Sequence, residues 1–298
     1  MKTKSAHIDT RDITINSKID DYKQLIKLKL NLFVVFSAAF GYTMASNGSF
    51  NFMSLFLISL GGFLVVSASN GLNQVIERNY DKLMTRTENR PVATGRMSVS
   101  EASIVSLLLG ICGVLILGIY FNKLTGILAL SSLAIYAFVY TPLKRIHSIN
   151  VFVGAIPGAM PPVLGYVAVT HTLDYMCVVL FLVQFLWQFV HFLSIAWILD
   201  DDYKKAGFKM LPSSGRSKLT AFKIILYALL LIPVAYMPFY LGKTGIISVV
   251  LSTLTVFYML YRCFNLYKTC DNKEARQVMF SSYFYLTITQ IVFILDKI

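Results

Sequence analysis

MSLFLISLGGFLVVSASNGL, residues 53–72, runs without a break into NQVIERNYDKLMTRTENRP, residues 73–91. The first part carries no ionisable side chain and is about 20 residues long, the length an α-helix needs to cross the hydrocarbon of a bilayer. In the second part Asn73, Glu77 and Asp81 fall at i, i+4 and i+8, so on a helix their oxygens lie within about 80° of one another on one face. Hard oxygen donors stacked in this way suit Mg²⁺, and an ion held by one or two carboxylates would in turn hold a phosphate or diphosphate. Arg86 and Arg90 follow on the same segment, and a planar guanidinium is well matched to phosphate oxygens. The plain alternative is a solvated helix end whose acids and bases pair along the surface.

The rest of the chain extends the apolar pattern. Of 298 residues, 56% are hydrophobic and only 14% charged, and the mean hydropathy is +0.64, which excludes an ordinary soluble domain. Runs long enough to span recur at about 30–47, 53–72, 102–121, 124–141, 150–169, 175–198, 220–241, 245–261 and 278–295. The expected fold is all-α: a polytopic membrane bundle of nine transmembrane helices around a central cavity, residues 30–298, preceded by a polar tail at 1–29.

A net charge of +12 read as a bulk number suggests nucleic acid, but its distribution argues against that partner. With nine alternating spans, 24 of the 27 Lys and Arg residues fall on one face, leaving Lys123, Lys243 and Lys297 on the other. This is the positive-inside pattern. It places the N-terminus in the cytoplasm and the C-terminus outside; the expected location is the cell (plasma) membrane. Residues 1–29 have no apolar core or small-residue cleavage site, so no signal peptide is expected, and Lys23, Lys27 and Lys29 read as snorkelling anchors on the lipid bilayer.

Three further stretches interrupt the apolar runs. YTPLKR, Tyr140 to Arg145, ends span four and puts Lys144 and Arg145 at the level of the first acidic segment. Span five holds GAIPGAMPPVLG, residues 154–165. Three prolines inside a spanning helix require neighbours or water to replace the lost backbone hydrogen bonds, so this span faces the bundle interior, either for close packing or to line a cavity. Span six holds FLWQFVHF, residues 185–192. Polar groups there sit at membrane depth, where they are costly and favour a functional role over a simple helix–helix contact. Span six then runs into LDDDYKKAGFKMLP, residues 199–212, a second acidic cluster with bases behind it. Two such clusters on one face suit one diphosphate with two Mg²⁺ ions. Cys112, Cys177, Cys263 and Cys270 have no metal or redox spacing, and His7, His147 and His171 belong to no visible metal constellation.

With these residues in place, the chain resembles the UbiA superfamily of intramembrane prenyltransferases, and within it the protoheme IX farnesyltransferase branch, over about residues 25–295. Asn73, Glu77 and Asp81 look like the first metal-diphosphate motif, although Gln74 and Glu77 stand where the superfamily commonly has Asp. RTENRP looks like its arginine element and YTPLKR like its basic loop. Trp187, Gln188, His191 and Phe192, with DDYKKAGFKMLP from Asp201, resemble the heme branch, Val190 standing where that branch has Pro.

The resemblance implies transfer of farnesyl from farnesyl diphosphate to a vinyl group of heme B, with water completing the substituent and Mg²⁺ assisting. It implies a reacting set of Asn73, Glu77, Asp81, Arg86, Arg90, Lys144 and Arg145. Metal ligands would be Asn73, Glu77, Asp81, Asp201 and Asp202. Diphosphate or heme contacts would come from Tyr140, Asn150, Trp187, Gln188, His191, Tyr203 and Lys209. The product would pass to a terminal oxidase assembly or a heme A synthase, although no docking surface is marked in the sequence. Rival readings are a prenyltransferase acting on a quinone precursor, a transporter using the Gly/Pro breaks, and a heme-binding scaffold.

Overall fold

The computed structural model describes residues 15–46, 48 and 50–298, so the basic stretch 1–14, with His7, lies outside the described residues. Among the described residues the regular elements are helices, and nine of them are long and apolar enough to span: α2 Leu28–Ala45, α3 Phe52–Asp81, α4 Val99–Phe121, α5 Lys123–Ile146, α6 Asn150–Thr170, α7 Tyr175–Ile198, α8 Lys218–Tyr240, α9 Ile246–Thr269 and α10 Asn272–Leu295. The apolar pattern places these spans within a few residues except at three ends. Helix α3 runs on through Asp81, α9 through Thr269, and α10 begins at Asn272. Polar residues there continue the 3.6-residue repeat beyond the hydrocarbon, where hydropathy has no further signal.

A helix precedes the spans. α1, Ile15–Ile26, lies within the stretch read as a polar tail. Lys18 and Tyr22 both bond Glu101 of α4, at 3.1 and 2.8 Å, and Arg96 Nε donates to the buried Asp21 at 2.9 Å. The bond to Glu101 raises the Tyr22 pKa. Leu25 is fully buried beside Val92, Met97 and Ala102, which docks α1 onto the start of α4. Lys27, in a left-handed conformation at φ 52°, forms the break between α1 and α2. Its side chain lines the central cavity, so the reading of Lys27 as a lipid anchor does not hold, whereas Lys29 is exposed.

The Pro-rich α6 and the polar α7 occupy the middle of the bundle: 72% and 67% of their apolar windows are buried, against 22% for α4. Pro157, Pro161 and Pro162 are accommodated within one helix. Both roles open to its small residues are used. On one face α6 meets α2 so closely that a Cβ at Gly41 would lie 1.9 Å from the Pro162 carbonyl oxygen, and one at Gly165 would lie 2.0 Å from that of Ala38. On the other face Gly154, Pro157, Gly158 and Pro161 line the cavity.

Candidate active site

The cavity is walled by α2, α3, α5, α6, α7 and α10 and, counting its open mouths, holds about 2130 Å³. Its two ends differ in chemistry. At the basic end α3 carries Asn73 and Glu77 on the predicted common face, both lining the cavity, with Asp81 fully buried one turn on. Each carboxylate already has a cation. Arg90 Nη1 grips Asp81 at 2.7 and 2.8 Å, and Lys144 Nζ lies 2.8 Å from Glu77 Oε1. The second contact is close but poorly directed, leaving the buried Oε1 without a hydrogen-bond donor. Asn73 Nδ2 donates to Thr141 Oγ1 at 3.2 Å, so its carbonyl oxygen is the atom free to act as a ligand.

Helix α5 delivers the cations through a local change of winding. Ile135–Tyr140 forms a π-helical turn, in which Thr141 Oγ1 donates to the Tyr136 carbonyl at 2.9 Å. Such turns recur at functional sites because they shift side chains around the helix. Here Tyr136, Tyr140 and Lys144 all line the cavity, and the Lys144 ammonium sits 4.7 Å from the centre of the Tyr140 ring. Arg86 enters from the segment after α3 and donates to the Tyr203 hydroxyl at 3.5 Å. Lys27 completes this cation group. Loss of bulk water around it, reinforced by Arg90 and Lys144, lowers its pKa well below the ordinary lysine value.

The second acidic cluster departs from the metal-ligand expectation. Asp201 has a side chain 74% exposed and pairs with Arg216 at 2.9 Å. Asp202 accepts the amide protons of Thr85 and Arg86 at 2.9 and 3.2 Å and pairs with Lys205. Although burial acts to raise it, these donors hold the Asp202 carboxyl below its usual range. Neither residue lines the cavity, and among the described residues no three His, Cys, Asp or Glu side chains converge closely enough to hold an ion. Adjacent acids on one helical turn point in different directions, and nearby bases and amides claim them first. Asp202 is therefore a clasp that fixes the Arg86 segment to the short helix Asp200–Lys205.

Four other expected site residues lie outside the cavity lining: Asp81, held by Arg90, and Asn150, Lys209 and Arg145. Asn150 Nδ2 donates to the carbonyls of His147 and Lys209, and the Lys209 amide and ammonium donate to Lys144 O and Ile146 O. Both residues stitch the α5–α6 turn to the loop after residue 206 and so position Lys144. Arg145 is exposed, bonds the Tyr80 hydroxyl and lies 4.1 Å over that ring.

Away from the basic end the lining turns aromatic and amide-rich. Gln184, Trp187, Gln188, His191, Phe192 and Ile195 form one stripe of α7 facing the cavity. The His191 ring stacks on Trp187 at 4.9 Å and meets Tyr283 of α10 edge-on at 4.3 Å. Gln290 of α10 binds both Ser37 and Gln184. The sequence reading passed over Ser37, Gln184, Tyr283 and Gln290. The signal was present in Gln184 and Gln290, amides inside apolar runs at membrane depth.

The sequence matches the UbiA prenyltransferase family over residues 34–288. Similarity to individual proteins spans nearly the whole chain. The protoheme IX farnesyltransferase of Cytophaga hutchinsonii is 45% identical over 95% of this chain and 99% of its own, and that of Flavobacterium johnsoniae is 43% identical over 96% and 97%. The chain belongs to the UbiA prenyltransferase family, in its protoheme IX farnesyltransferase branch. The UbiA fold is equally clear in solved structures. A digeranylgeranylglyceryl phosphate synthase superposes with a TM-score of 0.77 at 21% identity, over 94% of this chain and 98% of its own. A UbiA homologue from Archaeoglobus fulgidus bound to GPP and Mg²⁺ superposes with a TM-score of 0.69 at 16% identity, over 92% and 99%. As expected for this family, the chain is a multi-pass membrane protein built only from helices among its described residues.

Proposed function

We propose that this protein transfers the farnesyl group of farnesyl diphosphate to a vinyl group of heme B, with addition of water, giving heme O and diphosphate. One observation carries the reading: a single cavity joins a cation-rich end, suited to a diphosphate, to an aromatic wall around His191. The near full-length similarity to protoheme IX farnesyltransferases supports the choice of acceptor.

The chemistry follows from the charges. The bond between farnesyl C1 and the diphosphate oxygen breaks with its electron pair on oxygen. The allylic cation is attacked by the terminal carbon of the vinyl group. The cation left beside the porphyrin ring takes a water oxygen, whose surplus proton leaves to solvent. The protein's task is to stabilise the leaving group, and preorganised cations in a site closed to water do this well. Arg86 and Lys144 are placed for it, with Lys27 and Arg90 behind them. Asn73 and Glu77, which line the cavity, would hold Mg²⁺, with Asp81 one turn on in the grip of Arg90; the ion supplies further positive charge to the diphosphate when bound. Glu77 Oε1, buried and met only by the Lys144 ammonium, fits this role, and a bound ion would free Lys144 and Arg90 from their carboxylates to face phosphate oxygens.

His191 is suited to heme as an axial ligand. Ser282 Oγ donates its only proton to the Met279 carbonyl at 2.7 Å, so in the 3.0 Å contact between His191 Nδ1 and Ser282 Oγ the histidine is the donor. The Nε2 lone pair then remains for iron. The concentration of Lys and Arg at the Arg86 end supports a cytoplasmic location for that end in a plasma membrane, with Lys243 and Lys297 outside.

The test is to incubate membranes carrying the protein with heme B, farnesyl diphosphate and Mg²⁺ and to weigh the extracted heme. The expected product is heme B plus one farnesyl group and one hydroxyl. Prenylation of a quinone precursor with heme left unchanged would overturn the assignment.

A further inference from the structure

The deep end of the cavity holds polar groups that neither the diphosphate nor the iron uses. Gln184 and Gln188 lie one helical turn apart on the lining face of α7, 6% and 2% exposed. Gln188 Nε2 donates to the backbone carbonyls of Ala155 and Gln184, at 3.2 and 3.3 Å, which fixes the amide's orientation. Its oxygen therefore points the other way, against Gly158 of α6, where a Cβ would come within 2.0 Å of it. Gln184 is oriented oppositely: its oxygen accepts from Gln290 Nε2 at 3.2 Å, and Gln290 is itself held by Ser37 at 3.1 Å. Among the described residues Gln184 Nε2 has no acceptor and Gln188 Oε1 has no donor. The wall thus presents one amide donor and one amide acceptor side by side at membrane depth, with no charged side chain lining that part of the cavity.

Neutral donor-plus-acceptor pairing is what a protonated carboxylic acid requires, since its carbonyl accepts and its hydroxyl donates. Resting on the heme reading above, we propose that Gln184 and Gln188 form a subsite for a propionic acid side chain of heme, bound in its neutral form. The orientation follows from the reaction. The vinyl edge must face farnesyl C1 at the Arg86 end, and in protoporphyrin IX the propionates lie on the opposite edge, which then points into the bundle. Gln184 precedes His191 by seven residues, about 10 Å along the helix axis, comparable with the reach from a porphyrin's iron to its propionate carboxyls. An ionised carboxylate at this depth would be costly, and the neutral acid avoids that cost. The subsite also selects the acceptor, because a porphyrin without hydrogen-bonding side chains on that edge leaves both amides unpaired in the apolar interior.

The experiment compares heme B, its dimethyl ester and its diamide as ligands and as acceptors, in the full-length protein and in Gln188→Leu. The diamide is neutral and keeps both a donor and an acceptor; the ester keeps only the acceptor. The expected result is that heme B and the diamide bind with similar affinity, that the ester, which leaves Gln188 Oε1 without a donor, binds about tenfold more weakly, and that Gln188→Leu removes the difference. If the substitution prevents folding, the wild-type ranking of the three porphyrins still decides. Equal binding of ester and acid, or loss of the diamide together with the ester, as a cation partner for the carboxylate would give, overturns the proposal while leaving heme as acceptor. Failure of all three to bind or react overturns the heme reading and this proposal together.

Discussion

His191 Nδ1 lies 3.0 Å from Ser282 Oγ across the α7–α10 contact, and the same serine's backbone carbonyl accepts the Trp187 indole N–H at 2.6 Å. One residue of α10 therefore positions both the histidine and the ring stacked against it. A ligand imidazole is normally oriented in this way by a partner on its other nitrogen. Replacing Ser282 by Ala should weaken heme binding about fivefold, the value of one buried hydrogen bond of about 1 kcal/mol. Replacing His191 by Ala should remove the ligation signature from the heme absorbance spectrum. Unchanged spectra and titrations in both variants would rule out iron ligation.

The Lys144–Glu77 pair is buried on both sides, with side chains 10% and 5% exposed. Removing the cation alone strands a buried carboxylate, which commonly costs about 3–5 kcal/mol. Lys144→Ala should therefore lower the thermal midpoint in detergent markedly, and Lys144→Met combined with Glu77→Gln should recover much of it. Both proteins should be inactive. Equal midpoints for the single and double variants would mean that the pair carries no such strain.

Asp202 clasps the Thr85 and Arg86 amides with a carboxyl whose pKa is held down. An acid with a depressed folded pKa contributes stability that is complete above its unfolded value, about 3.9. That contribution is lost as pH falls through the lower folded value. The segment 82–90 should therefore stay protected from hydrogen exchange near neutrality and open in acid. Asp202→Ala should open it at neutral pH and raise KM for farnesyl diphosphate by misplacing Arg86. Wild-type exchange and KM in that variant would show that the clasp is idle.

Arg86 has no carboxylate partner among the described residues and lines the cavity, so its effect should be felt mainly in the reaction. Arg86→Ala should fold normally and lose about 10²–10³ in kcat, the range seen when one preorganised donor is removed from a developing negative charge. Chelation with EDTA should likewise stop turnover without changing heme absorbance. A chelated enzyme at full rate would remove Mg²⁺ from the mechanism.

At Gly41 the bundle is closed by backbone against backbone. Gly41→Ala should cost about 1–3 kcal/mol through overpacking, seen as a lower midpoint in detergent, whereas Gly95→Ala, on an open turn with φ 82°, should show only backbone strain.

The nine spans, their order and the shared face of Asn73 and Glu77 were legible in the sequence, because hydropathy and helical periodicity are local properties. The cation partners were legible by type and not by assignment. Arg90, nine residues after Asp81, takes Asp81; Lys144, from another helix, takes Glu77; Asp201 and Asp202, which resemble ligands on paper, are turned to Arg216 and to backbone amides. Lys27, Ser37 and Tyr283 were silent as site residues. Each is a single polar or aromatic residue in or beside an apolar helix, and only helix rotation decides whether it faces lipid, a neighbour or a cavity.

The sequence by itself determined that the chain lives in a membrane, which end of the bundle is cationic, and which family it resembles. Those follow from one-dimensional patterns of charge, length and motif. Only the tertiary structure decided which cation each carboxylate takes, that His191 meets Ser282, and that Gln184 and Gln188 face a shared cavity. These depend on hydrogen bonds and ion pairs between helices far apart in the chain, where each polar group at depth takes the partner that packing brings within reach.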